Sequence, residues 1–440
     1  MDGRFKENIS PVTKQEENKN IKKGDETFMN LHRMFRRILL FPLIPILGAF
    51  SDTGTITTSH KFNKTYYQAQ FLQGKENYVV FDQFASREKN TDIPKNAGDT
   101  VEFTRIAPFG LKRTPLTEGT NPSATKVYGN TVSATVAEYG DYVKPSKKFW
   151  YTNMDKDMAE TAFEHGISAA STIDSLIWEK VAEGGMGLRA DADSTYSGER
   201  TCVNSGSSTT VVVTDAIPTG ITSGKTGVIV FLSGKNYGQA REFTYTSATS
   251  VTLNSAVDHV VADGDLVWMC CTYGLTTADT VSVELIRKAV AKLEANGVPV
   301  FDDGYYHAVY TPLQKYDFQR DSEWINLKHY AAPKDLYRNL DGEIYGVRFH
   351  KDTVPYRHTA GTIGTYVSSG AVYVISIFGK GAFGNVRISG IDRKYYINPP
   401  KDDPNNPLAM YGSMGWYELC SPVVINGTAI VNIFNVPTNV

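Results

Sequence analysis

The sequence predicts an α+β fold organised on one long helix, with an extended β-hairpin loop before the helix and a small all-β domain inserted after it. The helix is the strongest signal. Between 150 and 185 the small or apolar residues Ala159, Ala162, Phe163, Gly166, Ala169, Ala170, Ile173, Leu176, Ile177 and Val181 recur at three- and four-residue steps. The hairpin is signalled by alternating runs at 101–105 and 131–143 on either side of a proline-bearing stretch. The inserted domain is signalled by a change of composition: 192–273 is rich in Thr, Ser, Val and Gly, with short strand patterns at 8–15-residue spacing.

Composition sets the limits. The chain has 440 residues, 41% of them hydrophobic, and a formal net charge of -2, enough for two to four structural units and with no basic excess to imply a nucleic-acid-binding surface. Abundant Gly, Tyr and Phe point to aromatic-packed sheets and turns. The cysteines are Cys202, Cys270, Cys271 and Cys420. No CxxC or Cys/His spacing exists and the vicinal pair does not suit an ordinary bridge, so neither a disulfide framework nor a zinc site is expected and a reducing compartment is.

Taken in order, residues 1–37 read as a polar arm, followed by an apolar run from Ile38 to Phe50 behind Arg33, Arg36 and Arg37. Pro42 and Pro45 interrupt that run and it falls short of the roughly 20 residues a membrane helix needs, so it is expected to dock on a neighbouring subunit or across its own domain. At 65–86 a short helix is expected, with Gly74 marking its break. A turn at 93–100 delivers the first hairpin strand. The 111–128 excursion, with Pro115, Pro122 and a Glu118-Gly119 turn, has too little apolar content for a core of its own. A strand is expected at 131–143, and two such strands projecting with an irregular tip need something to lie on. In the long helix, Thr152 or Asn153 is the expected cap, Asp155 and Asp157 suit the first turn, and Gly184-Gly185 stops it; at about 1.5 Å per residue it would run roughly 45 Å. Its small-residue stripe, Ala159, Ala162, Gly166, Ala169 and Ala170, would let a sheet come close.

Within the insertion, strands are expected at 209–214, 227–232, 241–246, 250–254 and 265–270, forming a barrel or sandwich. A second helix at 280–296 carries Val283, Ile286, Val290 and Leu293 on its buried stripe and stops at Gly297. Strands follow at 305–310, 343–350 and 371–378, with a helical segment at 312–318, and the chain closes on strands near 416–419 and 429–434. Phe378, Tyr373, Trp416 and Tyr417 are expected as core aromatics.

No pattern carries catalysis. The eight histidines form no HExxH and no i,i+4 pair, and no nucleophile elbow is present. The run from Gly220 to Gly227 ends like a phosphate-binding loop but is one residue short and lacks a following helix. Asp191, Asp193, Asp302 and Asp303 read as solvated turn residues. No catalytic, cofactor-binding or metal-binding residue is expected, and no cofactor.

Six stretches do match something: IPKNAGDTVEFTR at 93–105, TPLTEG at 114–119, TVSATVAEYGDYV at 131–143, GEIYGVRF at 342–349, IFGKGAFG at 377–384 and DDPNNPLAMYGSMGW at 402–416. In content, order and spacing they resemble the major capsid proteins of the N4-like tailed-phage family, which adopt the HK97-type coat fold, over most of 61–440. The first 50 residues and the insertion depart from that pattern. The resemblance implies an N-terminal arm with an apolar segment at 1–60, a segment with the extended loop at 61–151, the spine helix of a peripheral domain at 152–185, the inserted β domain at 192–273, an axial domain with connecting strands at 274–400, and C-terminal strands returning to the core at 401–440. It implies a non-enzymatic virion protein that self-assembles through hexamers and pentamers into an icosahedral head shell around double-stranded DNA, formed in the host cytoplasm, with neighbouring subunits, a portal and scaffolding or decoration proteins as partners and no membrane. Lys112, Arg113, Glu118 and Lys126 become candidate inter-subunit contacts, where rim charge would set register and salt sensitivity. Another virion structural protein, a carrier of a carbohydrate-binding module, and a metabolic enzyme are the rival readings.

Overall fold

The structure is a computed structural model that describes residues 61–86, 91–109, 112–152, 155–190, 198–215, 217–218, 221, 226–270, 275, 278–325, 342–352, 372–389, 394–404 and 406–438. The expected arm and its apolar run, the Asp191/Asp193 pair and most of the 220–225 glycine run lie outside the described residues. Two compact units are present, Met1–Tyr66 and Tyr67–Val440, and all contacts below lie within the second.

Five helices are α1 (Lys61–Tyr78), α2 (Lys147–Thr152), α3 (Asp155–Gly184), α4 (Val283–Ala295) and α5 (Pro312–Arg320). The long helix is therefore α3, with 30 residues. Its start differs from expectation. Thr152 ends α2 instead of capping α3, its hydroxyl donating to the Lys148 carbonyl at 2.7 Å. The small-residue stripe is buried as expected, but a helix as well as a sheet lies on it. At Gly166 the backbone of α3 crosses that of α1 at Gly74, so closely that a Cβ on Gly166 would sit 2.9 Å from the Lys75 nitrogen and 3.1 Å from the Gly74 Cα. Gly74 therefore does not break α1; it is the point of contact. Ala159, Ala162 and Ala169 close the rest of this joint with Phe71, Tyr395, Ile397, Met414 and Trp416.

One mixed sheet forms the centre, in the order Glu343–Ile344, Val347–Lys351, Tyr306–Tyr310, Tyr373–Phe378, Ile430–Asn435, Met186–Arg189. The last strand, delivered directly by the end of α3, runs parallel to Ile430–Asn435. Residues 373–378 and 430–435 are buried throughout, which explains their unbroken apolar character. The principal core lies here, joining Ile173, Ile177 and Val181 of α3 to Val283, Ile286, Val290 and Leu293 of α4. The periodicity of α4 thus predicted its buried face, and Gly297 ends it at φ 67°. Its first N–H is capped from afar, Val283 donating to Asp321 Oδ2 at 2.9 Å. The expected strand at 343–350 is two short antiparallel strands, because Tyr345 and Gly346 take positive φ and turn the chain back.

A second sheet lies beside α3 and contains Asp92–Ile93, Phe383–Ile388, Ser413–Val424 and Tyr395–Asn398, with Ala137–Val143 on the opposite edge of Ser413–Val424. Phe378, Tyr373 and Trp416 are core residues as expected, while Tyr417 is half-buried.

The insertion is a third sheet, in the order Glu199–Cys202, Leu266–Cys270, Thr226–Phe231, Ala240–Ser247, Ser250–Leu253, Val211–Val213. A bridge between Val203 and Thr214, with Asn204 N–H donating to the Val213 carbonyl at 2.7 Å, ties the last strand back to the first. The sheet closes into a barrel and removes its own edges. Ile229, Phe231, Phe243, Val251, Val267 and Met269 fill it. The five expected strands are all present, a sixth, Glu199–Cys202, was not expected, and a strand rather than a helix follows the phosphate-loop-like run.

Candidate assembly surface

The strand read at 131–143 is two strands that serve different sheets. Gly129–Thr135 pairs with Thr100–Ile106 in a two-stranded ribbon, while Ala137–Val143 pairs with Ser413–Val424. Val136 is the joint between them. The ribbon alternates as its sequence dictates: Val101, Phe103, Val132 and Ala134 turn inward onto Ile93, Val386 and Val423, while Glu102, Thr104 and Ile106 face out. A two-stranded ribbon is marginal alone, and this apolar face is what anchors it.

Beyond the ribbon the chain makes a long excursion closed at its neck by Ala107 N–H donating to the Tyr128 carbonyl at 3.0 Å. Its only internal turn among the described residues is Thr120 N–H to Thr117, with Gly119 at φ 75°. Every described residue from 108 to 127 is exposed. Leu116 at 72%, Phe109 at 60% and Val127 at 60% expose apolar side chains that a subunit on its own gains nothing by presenting. Lys112, Arg113, Glu118 and Lys126 lie along the same segment, all exposed, and none pairs with another described side chain.

A second exposed area was not anticipated. Ala137–Val143 is an edge strand, with no strand on its outer side among the described residues. Beside it α2 presents Phe149 and Tyr151, and the loop before Ser413–Val424 presents Leu408 and Met410. These segments are held together by Lys147 N–H donating to the Met410 carbonyl at 2.6 Å and Gly412 N–H to Pro145 at 2.9 Å, with Lys144 above the rings of Tyr142 and Tyr411. The run of three aromatics at 149–151 was the available signal; it stands just before the expected cap of the long helix and was not read as a surface.

The buried polar groups knit elements together. At the joint of α1, α3 and the second sheet, Lys75 pairs with Glu418 at 2.5 Å and Arg387 with Asp82 at 2.5 Å, while Asn385 donates to Asp82 at 3.0 Å. Burial lifts the Glu418 carboxyl, with Lys75 pulling the other way. Asp174, fully buried in α3, accepts from Val80 N–H at 2.6 Å, and burial pushes it up to about 8. In the central sheet His307 and His350, 43 residues apart, meet at 2.8 Å through Nδ1 and Nε2, with Phe84 stacked on the His307 ring and tilted against that of His350. Asp303 faces His307 Nε2 at 3.3 Å, so that nitrogen carries the hydrogen and Nδ1 accepts from His350. Asp303 also pairs with Arg348 and so is more than a solvated turn residue, while Asp302, which meets Lys380 at the surface, is exposed as expected. Among the described residues no three His, Cys, Asp or Glu side chains are grouped to hold a metal, and Cys202, Cys270 and Cys420 form no disulfide with one another.

No protein-family model matches the chain, and no curated protein is similar to it. Among solved structures, the chain is similar to the capsid of Ralstonia phage GP4, with a TM-score of 0.47 and 14% identity, covering 82% of this chain and 92% of that one. It is similar to the capsid structure of cyanophage P-SCSP1u at a TM-score of 0.46 and 11% identity, covering 82% and 90% of the two chains. For the cyanophage Pam1 capsid the values are 0.47 and 15%, covering 80% and 91%.

Proposed function

We propose that this chain is a major capsid protein of a tailed bacteriophage, with the HK97-type coat fold of the N4-like family, which assembles through hexamers and pentamers into an icosahedral shell around double-stranded DNA. One observation carries the reading: a subunit with well-filled cores sends out a ribbon and an excursion that has no core of its own, with Phe109, Leu116 and Val127 presented to solvent. Such an element is explained by another copy that covers it. The six sequence stretches resembling N4-like coat proteins support the same reading, and three of them, at 93–105, 114–119 and 131–143, reach into the ribbon or its excursion.

Lys112, Arg113, Glu118 and Lys126 are the proposed inter-subunit contacts, acting on register and salt response. Portal, scaffolding or decoration proteins and packaged DNA are the further partners, and assembly takes place in the host cytoplasm. A net charge of -2 leaves DNA held by confinement. The test is to express the protein alone and with its genomic neighbours and to image the products by negative stain. Hollow shells, hexamers or pentamers are expected; a monomer under both conditions contradicts the proposal.

A further inference from the structure

We infer that the inserted barrel is a buttress in cis: it clamps the root of the ribbon and so fixes the direction in which the excursion leaves the subunit. The inference rests on reading the excursion as an assembly surface, and it assigns the insertion an orienting task within its own chain rather than a contact of its own.

The clamp is built from two barrel loops, 232–239 and 254–260, made into one body by Asn236. That side chain is fully buried; its Nδ2 donates to the His259 carbonyl at 2.7 Å and its Oδ1 accepts from His259 N–H at 3.0 Å. Against this body lie three consecutive ribbon residues. His259 Nε2 donates to the Gly129 carbonyl at 3.0 Å, Asn130 Nδ2 donates to the Tyr237 carbonyl at 3.3 Å, and Thr131 N–H donates to Asp258 Oδ2 at 2.9 Å.

The position of these bonds gives them meaning. The Tyr128 carbonyl accepts from Ala107, so residues 128, 130 and 132 point their backbone groups at the partner strand, and 129 and 131 point theirs away from it. The barrel thus supplies a donor and an acceptor to the outer edge of the ribbon, where a third strand would have supplied them. The ribbon, packed by its apolar face nearer the body, is thus also held along the 129–131 edge at the point where the excursion begins.

Side chains close the joint on either side. Lys235 Nζ lies 4.5 Å above the Tyr128 ring, His259 meets that ring edge-on, and the Arg105 guanidinium lies 5.5 Å from the centre of the Tyr237 ring. Gly238, at φ 81°, is where the barrel makes room for Arg105: a Cβ there would collide with the guanidinium.

Amide hydrogen exchange on the unassembled full-length subunit tests this, with one variant from each side of the joint. Asp258→Ala/His259→Ala removes the barrel's donor and acceptor; Tyr128→Ala/Asn130→Ala removes the ribbon's grip and leaves the barrel untouched. In both, exchange across 101–106 and 129–135 is expected to rise by about tenfold or more while 226–231, 240–247 and 266–270 keep wild-type protection. Unchanged ribbon exchange in the barrel-side variant, which alone removes the bonds to the Gly129 carbonyl and the Thr131 N–H, overturns the buttress. The readout precedes assembly, so a subunit that never forms shells would sink the coat reading and leave this result standing. Conversely, a loosened ribbon that still yields shells of wild-type size and amount would overturn the orienting role and spare the coat reading.

Discussion

Replacing Gly166 by alanine tests the helix crossing on which the peripheral part of the subunit is built. In an open helix this change stabilises by up to about 1 kcal/mol, because glycine gives up more backbone freedom on folding. Here the new methyl would lie 2.9 Å from the Lys75 nitrogen and 3.1 Å from the Gly74 Cα, and its neighbours are backbone atoms that cannot rotate aside. α1 and α3 would have to part by roughly 1 Å, loosening Phe71 and Ala162 and stretching the buried Lys75–Glu418 pair. Overpacking of this kind costs about 1–3 kcal/mol, and strain on a buried ion pair adds to it, so a net loss of about 2 kcal/mol is expected after the propensity gain. Urea unfolding followed by tryptophan fluorescence should show a lower midpoint at unchanged slope, against an exposed control such as Glu160→Ala that stays within about 0.5 kcal/mol. Gly74→Ala should cost a similar amount, and the double variant less than the sum, since one separation relieves both. A Gly166→Ala protein stabilised by about 1 kcal/mol would refute the crossing.

Three further outcomes are expected. Asp174 has its carboxyl raised by burial to about 8, so its contribution is complete below pH about 4 and is lost as pH rises through about 8; wild-type stability should fall by up to about 4 kcal/mol more than that of Asp174→Asn between pH 5 and pH 8, and an equal shift of the urea midpoint in the two proteins between those pH values would contradict this. Phe109→Ser/Leu116→Ser should leave subunit stability within about 0.5 kcal/mol, since both side chains are exposed, yet reduce the yield of assembled particles measured by sedimentation; full yield would remove those side chains from the assembly surface. Lys112→Glu/Arg113→Glu should change the ionic strength at which particles form, read by light scattering over a salt series, and an unaltered salt response would withdraw both residues as contacts.

The helices show what a single chain displays of its fold. α3 and α4 were legible because each buries one continuous face, and a period of 3.6 is written wherever that happens. Gly74 was misread because local grammar makes glycine a stop, whereas here another helix 92 residues later requires it. The 131–143 run looked like one strand because alternation continues across Val136; only pairing partners reveal that the two halves belong to different sheets. Likewise 343–350 alternates well enough to hide a reversal at Tyr345, a residue seldom found at positive φ. The His307–His350 contact left no trace in spacing, since parallel pairing of two strands brings it together. The exposure of Lys112, Arg113, Glu118 and Lys126 was legible from the prolines and turn residues of the excursion, but the edge strand beside α2 was not, because an open edge is a property of the assembled sheet.

The most direct measurement replaces residues 108–127, which leaves the Ala107–Tyr128 neck in place, by a short glycine turn and compares the mass distribution of that protein with the intact chain under the same conditions. Because the excursion contributes nothing to the described cores, the shortened subunit should unfold at the same temperature as the intact one and remain a monomer while the intact chain forms capsomers and shells. Capsomers and shells of normal mass from the shortened chain would contradict the account.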